Sequence, residues 1–401
     1  MLALLLCIAM CFECVPFYTV AAEETEETGT YKTKAISWLV GEKDDVSGWG
    51  DTDLINDTAN ALTILGREGK PTDSTFLEKW KGSHKDMNTD EMVHIARAEY
   101  MSADSKEAES LLSDIMSRQN PDGGFGLTEE YESDVYDTVL ALSAVCAQAV
   151  ATPTDATADY SNAAGDAAFY LAGKQKSDGG YAYTDASDSS PYLTAYAGMI
   201  LSMCGCDDLP AWTALDAYCQ DRFTGELSED TFAEQAVLAM YMYRRELIQD
   251  ADAFEEKLHS VQGSDGSVYG DITDTIWYIL LLDEIDSYHT LRLSITNVET
   301  ETDTYVLEAG ETQSLSLHTD ISYDTNQNVT MNVRYTITED GEATASVTKE
   351  MELSASNTKA SLDSALEATA QEGKEYILKT EIVSVDDEAE VLASDEIKFS
   401  V

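Results

Sequence analysis

"SRQNPDGGFG", residues 117–126, has near-copies in "AGKQKSDGGY" at 172–181 and "SVQGSDGSVY" at 260–269. Each copy writes a glutamine, then Asp-Gly, then an aromatic residue within a few positions, and no copy occurs after residue 290. The copies sit at matching points of a longer unit. Before the first lies "SKEAESLLSDIMSRQ" at 105–119, whose Leu111, Leu112, Ile115 and Met116 form one apolar stripe at helical spacing. After each copy comes a segment apolar on nearly every face: "DTVLALSAVCAQAV" at 137–150, "YLTAYAGMILSMC" at 192–204 and "DTIWYILLLDEI" at 274–285. A helix apolar all round must be buried all round. Each unit therefore reads as an outer helix, a glycine turn and an inner helix.

Three weaker units, at 31–65, 73–102 and 209–244, bring the number of outer–inner pairs to six. Repeats at this spacing signal solenoids or closed arrays, and an open array would leave its apolar inner helices wet. The sequence thus predicts a closed ring. Gly123, Gly179 and Gly266 stand where a helix-ending turn needs a positive φ. Asp57, Asp137 and Asp274 are expected to cap the inner helices. The "NAAG" run at 162–165 and "DASDSS" at 185–190 read as loops. After Asp286 the pattern changes to alternating strands, among them "TLRLSITNV", "NVTMNVRYTITED" and "EYILKTEIVSV", punctuated by turns such as Glu339-Asp340-Gly341. Six or seven short strands in this stretch read as an immunoglobulin-like sandwich.

The motifs Gln119-x-x-Asp122-Gly123-Gly124-Phe125, Gln175-x-x-Asp178-Gly179-Gly180-Tyr181 and Gln262-x-x-Asp265-Gly266 resemble the Gln-Trp repeats of squalene cyclases and protein prenyltransferases. The resemblance covers residues 31–286. It implies an α6/α6 toroid, a barrel also used by the complement thioester domain and by cobalamin carriers. The expected architecture is therefore multidomain α and β: a leader at 1–22, a six-hairpin α/α toroid at 23–288 and an immunoglobulin-like β-sandwich at 289–401.

The chemistry of those relatives is not written here. The cyclase acid run Asp-x-Asp-Asp is replaced by Asp134-Val-Tyr-Asp137 and Asp271-Ile-Thr-Asp274. The prenyltransferase zinc set has no counterpart beyond Cys204-Gly-Cys206-Asp207-Asp208, which has no histidine nearby, and the Gly-Cys-Gly-Glu-Gln thioester run is missing. The sequence predicts no catalytic residue, no metal and no cofactor. His94 is the one histidine expected on an inner helix, as a satisfied core or rim residue.

The net charge of −52 repels phosphate backbones and anionic lipid, so nucleic acid is excluded as a partner. The start "MLALLLCIAMCFECVPFYTVAA" reads as a secretory leader ending in Val20-Ala21-Ala22. No membrane span is expected once it is removed, and the expected location is secreted or at the cell surface. Cys146, Cys204, Cys206 and Cys219 then remain, too few for a disulfide framework and best read as buried thiols.

What the ring can offer is its mouth. Helix-start acids Asp57, Asp90, Asp134, Asp137, Glu234 and Asp274 gather there beside Tyr136, Tyr192, Tyr196, Trp277 and Tyr278. Carboxylates among aromatic faces suit carbohydrate stacking or a cationic group. The reading is a non-catalytic binding protein for a small molecule, glycan or protein, with cobalamin as one candidate ligand. The alternatives are a cyclase-like or lyase-like enzyme using Asp134, Asp137, Asp271 or Asp274, and a structural adhesion or scaffold module.

Overall fold

The computed structural model describes residues 18–20, 26–44, 47–50, 54–70, 75–81, 84–101, 105–129, 131–151, 157–206, 210–355, 357–385 and 391–401. Most of the expected leader, including Cys7, Cys11 and Cys14, lies outside them, as do Asp207 and Asp208. The chain divides into a helical unit ending at His289 and a β unit from Thr290 to Val401, which Tyr18–Val20 joins.

Twelve helices are described in the first unit: α1 Glu26–Gly41, α2 Leu54–Arg67, α3 Thr75–Glu78, α4 Thr89–Met101, α5 Ser105–Ser117, α6 Val135–Ala151, α7 Thr157–Lys174, α8 Pro191–Met203, α9 Trp212–Arg222, α10 Phe232–Arg244, α11 Ala251–Ser260 and α12 Ile272–His289. The even-numbered helices are those the sequence marks as inner, and they are the buried ones. Every residue of α8 from Leu193 to Leu201 is buried. The even helices pack in a circuit: α2 on α4, then α6, α8, α10 and α12, and α12 on α2 again. Among the odd helices, α5, α7 and α9 pack on the even helix before them, and α1 packs on α12.

The repeated motif is what fastens one hairpin to the next. Gln119 Nε2 donates to its own turn at Gly123 O (2.9 Å) and to Ala163 O of α7 (2.8 Å). Gln175 Nε2 does the same with Gly179 O (3.0 Å) and Ala211 O before α9 (3.4 Å). Gln262 Nε2 reaches Gly266 O and, 2.9 Å away, Tyr31 O of α1, so the last turn holds the first helix. At Gly179 the φ is +90° and an added Cβ would lie 2.1 Å from Ala214 O, so both backbone conformation and the close approach of α9 demand glycine. A threonine on the following helix secures the aromatic. Thr138 Oγ1 accepts from Phe125 N at 2.9 Å, Thr194 Oγ1 from Tyr181 N at 2.8 Å, and Thr58 Oγ1 from Trp49 N at 2.9 Å. Phe125, Tyr181 and Trp49 are fully buried as a result.

Two local expectations are corrected. For Asp137 and Asp274 the cap lies three residues earlier, and Asp57 is the fourth residue of α2 rather than its cap. Asp134 Oδ1 accepts from Asp137 N and Asp271 Oδ1 from Asp274 N, each at 2.9 Å, so Asp137 and Asp274 occupy the third helical position instead. Likewise "NAAG" at 162–165 is not loop. It lies inside α7, where Ala163, Ala164, Ala167 and Ala168 form the buried stripe of a helix. The "DASDSS" run does lie between elements, and its Ser190 caps α8 by accepting from Leu193 N at 3.2 Å. Cys146, Cys204, Cys206 and Cys219 are buried, and Cys206 Sγ donates to Cys204 O at 3.8 Å.

The β unit holds β1 Tyr18–Val20, β2 Leu291–Thr302, β3 Thr312–Thr325, β4 Val329–Glu339, β5 Glu342–Leu353, β6 Lys359–Thr369, β7 Tyr376–Val383 and β8 Val391–Phe399. They form two antiparallel sheets, in the orders β1-β2-β3-β6 and β5-β4-β7-β8. Alternating residues such as Leu315, Leu317 and Ile321 of one sheet and Val333, Tyr335 and Leu378 of the other build a common core. A buried hydroxyl chain crosses it. Thr300 Oγ1 bonds Thr319 Oγ1 (3.1 Å) and Thr380 Oγ1 (2.9 Å), and Thr319 Oγ1 bonds the Tyr335 hydroxyl (2.8 Å). The β4–β5 hairpin turns through Asp340 and Gly341, both at positive φ, as a type I′ turn requires.

Candidate functional site

An even helix ringed by neighbours buries its side chains wherever another helix packs on it. Side chains that stay partly exposed along one stripe of such a helix are those its neighbours do not cover. On α4 that stripe is Asp90, His94 and Arg97, on α2 Asn56, Asn60 and Thr63, and on α12 Trp277 and Leu280. The spacing is i, i+4, i+7, one face of a helix. Asp90, Tyr136 and Tyr192 are each the second residue of their helix, so they stand at one level.

The first level is tied together by Asp90. Its Oδ2 accepts from Asn56 Nδ2 on α2 at 2.7 Å. Its Oδ1 lies 3.1 Å from His94 Nε2 and 3.4 Å from the Tyr136 hydroxyl of α6. Burial pushes the Asp90 carboxyl up. The hydrogen bond and charge of His94, then the bonds from Asn56 and Tyr136, outweigh burial and hold it below the usual carboxylate range. Asp90 is thus an anion, and none of its partners is lysine or arginine. The other ring nitrogen of His94, Nδ1, is buried without a partner.

Aromatic rings close the opposite side. Trp277 meets Tyr192 and Tyr196 edge-on, with centroids 6.0 and 6.3 Å apart. These contacts run from α12 to α8, the two helices that flank α10 in the packing circuit. Tyr136 lies 5.9 Å from Tyr183, an exposed ring in the loop before α8. Burial, then Asp90 and the neighbouring tyrosines, push the Tyr136 hydroxyl far up, so it is a donor at any ordinary pH. Deeper, Arg97 bonds Ser143 Oγ of α6.

Of the residues the sequence nominated, Tyr136, Tyr192, Tyr196 and Trp277 belong to this cluster. Asp57 stands at the α12–α2 seam, accepting from Thr273 Oγ1 at 3.2 Å. Asp134 is spent as a cap. Asp137 is 3% exposed with Oδ1 unpartnered, and its carboxyl is pushed up to about 8 by burial first, then by Asp134 and Asp90, against the pull of Arg118. Asp274 is raised to about 6 by burial, Asp271 and Glu229. Tyr278 points away from the cluster into the core, fully buried against Phe232 at 6.5 Å. Asp90, which the sequence placed among the mouth acids, lies in this cluster with His94, which the sequence expected as a core or rim residue, while Asn56, Arg97 and Tyr183 were not singled out. Among the described residues no group of three or more histidine, cysteine or acidic side chains could hold a metal ion, and no helix is long and apolar enough to cross a membrane.

With this geometry in hand, solved structures supply a likeness. The apo type II terpene cyclase MstE from Scytonema, as a tyrosine-to-phenylalanine variant, is similar with TM-score 0.50 and 14% identity, over 66% of this chain and 99% of that one. The chain resembles the terpene cyclase fold. A second structure of that cyclase, in complex with merosterolic acid A, gives TM-score 0.47 and 13% identity over 66% and 99%. A protein from Actinoplanes gives 0.47 and 12% over 64% and 99%. No family model and no curated protein matches the chain.

Proposed function

We propose that the helical unit is a six-hairpin α/α toroid whose hollow binds a small polar ligand without transforming it, and that the β unit is an immunoglobulin-like spacer. The closed circuit of helix packing and the Gln262–Tyr31 bond support the toroid. One observation supports the binding reading: Asn56, Asn60, Asp90, His94 and Arg97 make the partly exposed stripes of α2 and α4 polar, and in a closed toroid those stripes would line the hollow. A terpenoid chain entering there would desolvate those polar groups without satisfying them, at about 1–3 kcal/mol for each group left unpaired. A polar ligand stacked on Tyr192, Tyr196 and Trp277 would satisfy them instead. The acidic surface and the leader-like start support a place outside the cell, where the partners would be small molecules, glycans or proteins.

The test is thermal unfolding of the chain against cell-wall and plant oligosaccharides, amines, cobalamin, basic peptides and prenyl diphosphates with Mg²⁺. A ligand that binds only the folded state adds about 2.7 kcal/mol at a hundredfold excess over its dissociation constant. A midpoint rise abolished by Trp277→Ala supports the hollow as the site. A rise with every class of compound, or one untouched by that substitution, removes it.

A second reading rests on Asp137. A buried carboxyl held near 8 is protonated at neutral pH, as a proton donor to an alkene must be. Cyclisation of a polyprenyl substrate by the purified chain, lost in Asp137→Asn and kept in Asp90→Asn, would establish it. Turnover of none of the prenyl compounds tested removes it.

A further inference from the structure

We propose that the group recognised at Asp90 is an organic ammonium, seated between that carboxylate and the faces of Tyr136 and Tyr192; the inference rests on the hollow being the binding site. The first argument is charge. Asp90 lies within a level whose other members, Asn56, Tyr136, Tyr192 and Thr273, are all neutral. Its hydrogen bonds come from Asn56, His94 and Tyr136, so the carboxylate is oriented on three sides, and among these partners His94 alone brings charge, one turn deeper on the same helix. A partly buried carboxylate balanced only by a histidine can take a cation brought by the ligand as a second charged partner.

The second argument is the rings. Tyr136, Tyr183, Tyr192, Tyr196 and Trp277 form two contacting groups around the same level, and Asp90 lies close enough to Tyr136 and Tyr192 to raise both hydroxyls. Electron-rich faces beside one carboxylate make the environment that holds an alkylammonium. A neutral sugar fits less well. It needs free donors as well as acceptors, and here the Asn56 amide and the Tyr136 hydroxyl are turned onto Asp90. The third argument is direction. Arg97 is seven residues along α4 from Asp90, about 10 Å of helix rise, and it repels a cation from the deeper end. The ammonium therefore rests at the level of Asp90, whose side chain is 18% exposed and bonds Tyr136, the neighbour of the exposed Tyr183 ring. The net charge of −52 favours the arrival of cations over anions.

The experiment is calorimetric titration of the full chain with choline and, separately, with its uncharged isostere 3,3-dimethylbutan-1-ol. Choline is expected to bind at least tenfold more tightly than the isostere. Asp90→Asn should cut choline affinity at least tenfold and leave the isostere unchanged, and Tyr192→Leu should weaken both. Circular dichroism establishes that each variant is folded, and Asp90→Glu, which keeps the charge, serves where Asp90→Asn is not. Equal affinity for choline and the isostere, or choline binding indifferent to Asp90, overturns the ammonium assignment. If choline fails while a neutral oligosaccharide binds in a Trp277-dependent way, the cation falls and the hollow stands. If nothing binds there, both fall.

Discussion

Replacing Asp137 by asparagine should make the protein more stable at neutral pH and change its pH dependence. The carboxyl is 3% exposed, close to Asp134 and Asp90, and keeps its proton up to about 8 in the folded chain. In the unfolded chain it would release that proton near 4. Between these values the folded state binds more protons than the unfolded state, so stability is full below about pH 4 and is lost as pH rises towards 8. The loss is about 1.4 kcal/mol per pH unit, or about 3 kcal/mol between pH 5 and 7.5. Asparagine has nearly the shape of the protonated acid, can donate to Asp134 as that acid does, and cannot ionise. The variant should match the parent near pH 5 and exceed it by about 3 kcal/mol at pH 7.5. Urea unfolding followed by helical circular dichroism at both pH values measures the difference, and shared contributions such as that of Asp274 cancel in it. A difference between the two proteins that stays constant with pH would refute the argument that Asp137 is held protonated.

Gly179→Ala should cost about 3 kcal/mol, since φ is +90° and the new Cβ would meet Ala214 O at 2.1 Å, whereas Gly173→Ala, in open space within α7, should stabilise by about 0.5–1 kcal/mol; thermal melts of the pair check both signs. Gln262→Ala removes the bonds to Gly266 O and Tyr31 O and should loosen α1, seen as faster amide exchange there ahead of the other odd-numbered helices. Thr319→Val breaks the buried hydroxyl chain of the β unit and strands the Tyr335 hydroxyl, for a loss of about 1–3 kcal/mol in unfolding of that unit.

The helix order was legible because burial on every side leaves an unmistakable mark on composition: α8 and α10 could sit nowhere but inside. The cap positions were not. Asp134 and Asp137 are both acids three residues apart, and composition cannot tell which one accepts the amide; the chain settles it by placing Thr138 against the Phe125 backbone, which fixes where the helix begins. "NAAG" misled for a similar reason, since asparagine and glycine signal a turn only where no alanine stripe on both sides demands a helix. In the β unit, Thr300, Thr319 and Thr380 read in sequence as ordinary β-branched strand residues. Their hydroxyls meet only when two sheets bring together positions far apart in the chain.

The site was half legible, and its missing half lay in a register rather than in a motif. Acids at helix starts attract notice, and the sequence grouped Asp57, Asp90, Asp137 and Asp274 as equals. Counted from their caps they differ. Asp137 and Asp274 are third residues, turned towards neighbouring elements and raised by burial, while Asp90 is a second residue and faces the hollow. One step along a helix is about 100° around it, enough to separate a buried proton carrier from a ligand-facing anion. The signal that distinguishes them is the polar series Asp90, His94, Arg97 at i, i+4, i+7 along the partly exposed stripe of α4, echoed by Asn56, Asn60, Thr63 on α2. Helices packed on both sides by their neighbours have little use for such a series in their packing. Two such series, on adjacent helices and at the level of Tyr136 and Tyr192, are the ground on which the proposed binding site rests.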